Sequence, residues 1–421
     1  MPQPPISRRQ LLAAGALGAL GLCTSACTGG DADAPVTGAG SKANGTTGSA
    51  VEGAQTGSAP ISAPAQPADA VSRLLSTMTL EQKVAQLFIV TPEQLTGADV
   101  ATVAGPMTAE ALARIPVGGL CYFGRNIAGT QQLRDLLAGT QELARGVGAG
   151  IGAFLSVDEE GGPLVARVAN SGYFDVPRFP NMIEIGATGD EGRAAEVGRT
   201  IGGYLRDIGF NLDFAPDADV LTNPANPVIG PRSFGSDAQV VARMVAAEAA
   251  ALMDAGVAPC AKHFPGHGDT AGDSHTGGVL TERGADEIRA CELEPFRAAI
   301  AADIPFIMAG HIETPNFAAD GLPATLSPYM LTDVLRGELG FTGAIVSDSF
   351  SMGAITQRFA ADDAAVQFLV AGGDIVLMPS DLELAYRGVL EAVATGVLTE
   401  DRIDGSARRV LAVKERLGLI A

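Results

Sequence analysis

From Leu80 to the C-terminus, short apolar runs alternate with longer stretches in which apolar and polar residues recur at helical spacing. Eight runs read as strands: 87–90, 118–123, 153–158, 210–215, 257–264, 305–311, 344–348 and 374–378. They are continuous rather than alternating, as strands covered on both faces of a parallel sheet are. Stretches such as 130–145, 191–207, 237–254 and 283–302 lie between them and are long enough for crossover helices. Eight strand–helix units in about 350 residues predict a single α/β domain, a (β/α)8 TIM-type barrel. A doubly wound open sheet is the alternative.

The first 67 residues follow a different pattern. Ser7-Arg8-Arg9-Gln10 precedes an apolar run over 11–22, and the small residues Thr24, Ser25 and Ala26 lead to Cys27. A basic start, a short apolar centre and a small-residue end predict an export signal over 1–26. The run is too short for a comfortable membrane span. The arginine pair resembles a twin-arginine signal and Cys27 a bacterial lipobox cysteine, although Thr24 stands where a lipobox usually has Leu. Lipidation at Cys27 and a membrane-anchored extracytoplasmic location are the expectation; simple cleavage and secretion is the alternative. Residues 27–67 are nearly all Gly, Ala, Ser, Thr, Pro and Asp without periodicity, a composition that cannot bury enough apolar surface to fold. A tether of that length spans about 35 Å root-mean-square. The folded domain is expected over 68–421.

Charge and cysteine content narrow the partners. The formal charge is −20, and cleavage before Cys27 would remove Arg8 and Arg9 but no acid. So acidic a chain is unsuited to nucleic acid or to anionic lipid, which leaves membrane contact to a lipid anchor alone. Cys121, Cys260 and Cys291 are an odd set at wide spacing with no metal-ligand pattern, and the first two lie in strand-like runs, where core packing is expected. A monomer without cofactor is the expectation.

The barrel reading locates the chemistry. In such barrels the reacting groups sit at strand C-termini and in the loops that follow. Asp158-Glu159-Glu160-Gly161-Gly162 follows the third predicted strand, and the acidic segment Asp213 to Asp219 the fourth. Lys262 and His263 close the fifth, His311 the sixth and Asp348 the seventh. Three of the four histidines fall within Lys262–His275, KHFPGHGDTAGDSH, a Gly/Pro-rich stretch unsuited to a packed core. Charges at strand ends are costly unless paired or used. His263 and His267 are four apart, but Pro265 and Gly266 between them rule out the helix that would align them on a metal, and none is expected.

KHFPGHGDT at 262–270, DSH at 273–275 and SDSFSMGA at 347–354 resemble glycoside hydrolase family 3, in its NagZ-type β-N-acetylglucosaminidase branch. GRN at 124–126, DEEGG at 158–162, RSFG at 232–235 and PATLSP at 323–328 support the likeness, which runs from about Leu80 to the end. The resemblance implies a retaining mechanism with Asp348 as nucleophile and His275, paired with Asp273, as acid/base. It also implies that Asp158, Arg232, Lys262 and His263 bind the terminal sugar of a peptidoglycan-derived glycan. Arg167 falls one residue later than the family spacing places its arginine, so an insertion in the EGGPLVARV loop is expected. His267, in the Gly-rich loop after the fifth strand, is expected to support that loop, with ligand binding the alternative.

The chain contains no Trp, which disfavours a stacking platform for long polysaccharides and favours a polar pocket for one terminal sugar, hence exo-action. A β-N-acetylglucosaminide phosphorylase or a β-glucosidase would use the same site. A sugar-binding lipoprotein without catalysis is the reading from another class, disfavoured because Asp348, Asp273 and His275 are all present.

Overall fold

The computed structural model describes residues 69–420. The expected export signal, Cys27 and linker lie outside them. Eight parallel strands form the central sheet: β1 (Phe88–Val90), β2 (Gly119–Cys121), β3 (Phe154–Val157), β6 (Leu212–Asp213), β7 (Ala258–Phe264), β9 (Phe306–Ala309), β11 (Ala344–Ser347) and β12 (Val376–Leu377). Two short pairs complete the strand count: β4 (Glu159–Gly161) with β5 (Val165–Ala166), and β8 (Val279–Leu280) with β10 (Ile312–Glu313).

The barrel closes. Sheet order runs from β11 through β9, β7, β6, β3, β2 and β1 to β12, and a parallel bridge between Val346 and Ile375 joins the two ends. The Ser347 N–H donates to the Ile375 carbonyl at 2.9 Å across that seam. An open doubly wound sheet would leave β11 and β12 as edges, so closure decides for the TIM-type barrel. Each barrel strand is fully buried, which explains why the apolar runs did not alternate. Cys121 and Cys260 are buried within them.

The helices follow the periodic stretches: Thr130–Arg145, Glu191–Ile208 and Ala238–Asp254 match their predicted spans. The stretch 283–302 does not form one helix. It splits into Ala285–Ala290 and Glu294–Ala301, because Pro295 lacks an N–H and its ring would clash with the carbonyl four residues back. Among the described residues no helix is long and apolar enough to cross a membrane. Where the first strands begin, Lys414 donates to Gln86 Oε1 and the Gly118 carbonyl at 2.7 Å and lies 4.8 Å from the Phe154 ring centroid. The opposite end is left for the site.

Candidate active site

A cavity of about 970 Å³ opens at the C-terminal ends of the barrel strands. Asp158, Arg167, Arg232, Lys262, His263, His275 and Asp348 all line it, and Asp273 is bonded to His275. Residues spread over 191 positions of sequence thus meet in one chamber because each lies at or beyond the C-terminal end of a barrel strand.

The cations on one side are held by a carboxylate that sequence reasoning did not single out. Glu160, in β4, accepts from Arg232 Nε and Nη2 at 2.7 Å each, and its Oε1 lies 2.6 Å from Lys262 Nζ. Lys262 also donates to Asp158 Oδ1 at 2.8 Å. Burial alone would raise the Glu160 carboxyl, but the Arg232 and Lys262 charges outweigh it and hold the group well below the usual carboxylate range. The same acids raise Lys262 against its own burial, so its ammonium stays charged.

Next along, Asp219 clamps the KHFPGH turn. Its Oδ2 lies 2.8 Å from His263 Nδ1, and its Oδ1 accepts the backbone N–H groups of His263 and His267 at 3.3 and 2.6 Å. A carboxylate acceptor makes Nδ1 the donor, which turns Nε2 of His263 to other work. Asp217, Asp219 and His263 offer oxygen and nitrogen atoms within 4.8 Å of one another. The set does not suit a metal: an ion would have to break the Asp219–His263 bond, and Arg232 lies 3.7 Å from Asp217 Oδ2. The arrangement is a clamp for a histidine.

The loop carrying His275 is tied at several points. The Asp273 Oδ1 accepts from His275 Nδ1 at 2.7 Å and from its backbone N–H at 2.9 Å, so Nε2 is free for a proton. Burial raises the Asp273 carboxyl, and the His275 bonds and charge together overcome this and lower it, so the carboxylate is ionised at neutral pH. His267 is buried and bonds Thr270 and Ser274 through its two ring nitrogens, at 2.7 and 3.1 Å, as a loop support does. The loop rests on the segment after Asp348: Gly353 N–H donates to the His275 carbonyl at 3.0 Å. A Cβ on Gly353 would stand 2.9 Å from that carbonyl oxygen, and one on Gly268 only 1.9 Å from the Val220 carbonyl. These two glycines permit contacts that no other residue allows.

Asp348 follows β11. Its N–H donates to the Ala309 carbonyl at 2.8 Å, and its Oδ1 accepts the Ser349 N–H at 2.7 Å. Burial raises its carboxyl, but His311, His263, the Ser349 N–H and His275 together bring it below the ordinary value. An ionised carboxylate on a rigid strand end, sharing a cavity with a carboxylate-oriented imidazole, suits nucleophile and acid/base roles.

The family model described as the glycosyl hydrolase family 3 N-terminal domain matches residues 79–413. The chain belongs to glycoside hydrolase family 3. β-Hexosaminidase A of Pseudoalteromonas piscicida is 35% identical over 340 residues, which cover 75% of this chain but 56% of that protein, little more than half its length. β-Hexosaminidase LpqI of Mycobacterium tuberculosis is 37% identical over 268 residues, 62% of this chain and 67% of the relative. A solved family 3 β-N-acetylglucosaminidase from Paenibacillus sp. str. FPU-7 aligns with a TM-score of 0.75 at 38% identity, covering 81% of this chain and 63% of that one.

Within this family 3 domain Arg167 directly follows the β4–β5 hairpin, which pairs Glu159 with Ala166 and Gly161 with Val165 through a register shift between Glu159 and Gly161. Arg167 still reaches the cavity, where its guanidinium lies 5.7 Å from the Phe123 ring centroid. Arg125 of the GRN motif stacks on the same ring at 5.6 Å.

Beneath the KHFPG turn, a Cβ on Gly266 would meet Glu292 at 2.8 Å. Burial pushes the Glu292 carboxyl up to about 7, against the pull of Arg283 at 3.0 Å. An acid raised from 4.5 in the fold loses stability as pH climbs through that interval, because the unfolded chain ionises first. Glu292→Gln is therefore expected to gain about 2–4 °C in Tm over wild type at pH 8 and almost nothing at pH 5. Calorimetry at the two pH values checks this; a difference independent of pH contradicts it.

Proposed function

We propose that this family 3 chain is a retaining exo-β-N-acetylglucosaminidase that releases terminal N-acetylglucosamine from peptidoglycan-derived glycans. The observation that carries the reading is the pairing of Asp348 at a strand end with the His275–Asp273 dyad around one cavity. The relatives it resembles, named β-hexosaminidase and β-N-acetylglucosaminidase, point the same way.

In the first step Asp348 attacks the anomeric carbon while His275 Nε2 gives its proton to the departing glycosidic oxygen. Asp273, accepting from Nδ1, stabilises the imidazolium before that transfer and keeps the ring oriented. In the second step the now neutral His275 takes a proton from water, whose oxygen displaces Asp348 and frees the sugar. Asp158, Arg232, Lys262, His263 and Arg167 bind the hydroxyls and acetamido group of the terminal residue. Because Glu160 holds Lys262 and Arg232 before substrate arrives, little ordering remains to be done on binding.

Specificity tests the reading. The purified protein should cleave aryl β-N-acetylglucosaminides with kcat/KM about 100-fold or more above aryl β-glucosides. Comparable values would move the chain to a β-glucosidase assignment. A rate that requires inorganic phosphate and yields the sugar 1-phosphate would make it a phosphorylase. The protein acts outside the cytoplasm as a monomer tethered through a lipid on Cys27. Cys27→Ala should move it from the membrane fraction to the medium, and unchanged fractionation would remove the anchor from the proposal.

A further inference from the structure

His311 and the PATLSP motif take no part in the chemistry above, yet they meet directly behind the nucleophile. His311 lies two residues beyond β9 and is buried. Its Nε2 is 2.9 Å from the Ser349 carbonyl oxygen and its Nδ1 is 2.9 Å from Thr325 Oγ1. A carbonyl only accepts, so Nε2 carries the proton. In the neutral ring Nδ1 must then accept, and the buried Thr325 hydroxyl must donate to it. Burial depresses His311 despite Asp348 nearby, which favours that neutral form.

The residue held in this way is Ser349, whose N–H donates to Asp348 Oδ1. Both polar groups of its backbone are thus committed, one to the carboxylate and one to His311. With Oδ1 so occupied, Oδ2 is left to attack. We propose that His311 is a positioning residue for the nucleophile: its Nε2–H fixes the turn that aims Asp348, and Thr325 selects the tautomer that can do so. The inference rests on the assignment of Asp348 as nucleophile.

Variants of the full chain separate positioning from mere packing. A Gln side chain can present an N–H near the place of Nε2, whereas Asn is too short and Phe has no donor. His311→Phe and His311→Asn should lower kcat on a nitrophenyl β-N-acetylglucosaminide about 100-fold with KM within about 3-fold. His311→Gln should recover to within about 10-fold of wild type. The acid limb of kcat/KM should move to higher pH in Phe and Asn, because Asp348 then loses the His311 imidazole first and the ordered Ser349 N–H with it, and keeps only His263 and His275 as facing groups that favour its charge. In Thr325→Val, ¹⁵N-histidine NMR should show loss of the pure Nε2–H pattern that wild-type His311 displays. Rates that follow Tm alone across the three variants, an unmoved acid limb, or a wild-type His311 protonated on Nδ1 would overturn the proposal. A wild type inactive on every aryl glycoside would instead overturn the assignment of Asp348, and this inference with it.

Discussion

Asp348→Ala is expected to lose at least about 10⁴-fold in turnover on every glycoside, whereas His275→Ala should fail selectively. Without the Asp348 carboxylate no covalent intermediate forms, and the leaving group's quality cannot help. Without His275 the two half-reactions part company. Dinitrophenol departs with little protonation, so glycosylation survives; water, which needs a base, attacks slowly. The record should be a burst of phenol followed by a slow steady state. Azide needs no general base and should restore the steady rate, giving the β-glycosyl azide. Asp273→Ala should show a milder version, since the imidazole remains but loses the carboxylate 2.7 Å from Nδ1 that orients it. If azide leaves the steady rate of His275→Ala unchanged while deglycosylation limits turnover, His275 is not the acid/base.

Glu160→Ala should be the most destabilising change in the cavity wall. The carboxylate is buried, as is Lys262, and Arg232 is nearly so. Removing it strands two cations that lose their shared counter-ion, a loss of about 3–5 kcal/mol and on the order of 10 °C in Tm. Asp158 remains on Lys262 and Asp217 lies 3.7 Å from Arg232, which keeps the loss toward the lower end of that range. The pH dependence follows from the depressed Glu160 carboxyl. Its stabilisation is present above the unfolded carboxylate range and is lost as pH falls through the lower folded value. The gap in Tm between wild type and Glu160→Ala should therefore be constant from pH 6 to 8 and narrow below about pH 4. Denaturation followed by circular dichroism over that range gives the answer; a constant gap down to strongly acidic pH would mean that Glu160 contributes packing alone.

These two predictions differ in how far they were legible in the sequence. The barrel was readable because strands buried on both faces must be apolar throughout, and the runs at 257–264 and 344–348 carry Lys262, His263 and Asp348 at their ends. The Asp273–His275 pair was readable because the partners are two residues apart. Glu160 is different: its partners Arg232 and Lys262 lie 72 residues away and farther, and only barrel closure brings them together. Asp219 was visible as one acid in a cluster, but its grip on His263 spans 44 residues. The break before Pro295 was missed because the apolar period continues through it. Arg167 looked displaced in a linear count, yet it lines the cavity.

The central claim is a glycosyl–enzyme ester on Asp348. Incubating His275→Ala with dinitrophenyl β-N-acetylglucosaminide, quenching in acid during the slow phase and mapping peptides by mass spectrometry tests it most directly. The account predicts one N-acetylglucosaminyl unit on the peptide containing Ser347-Asp348-Ser349, absent in the Asp348→Ala double variant. A burst with no adduct, or an adduct on another residue, would contradict it.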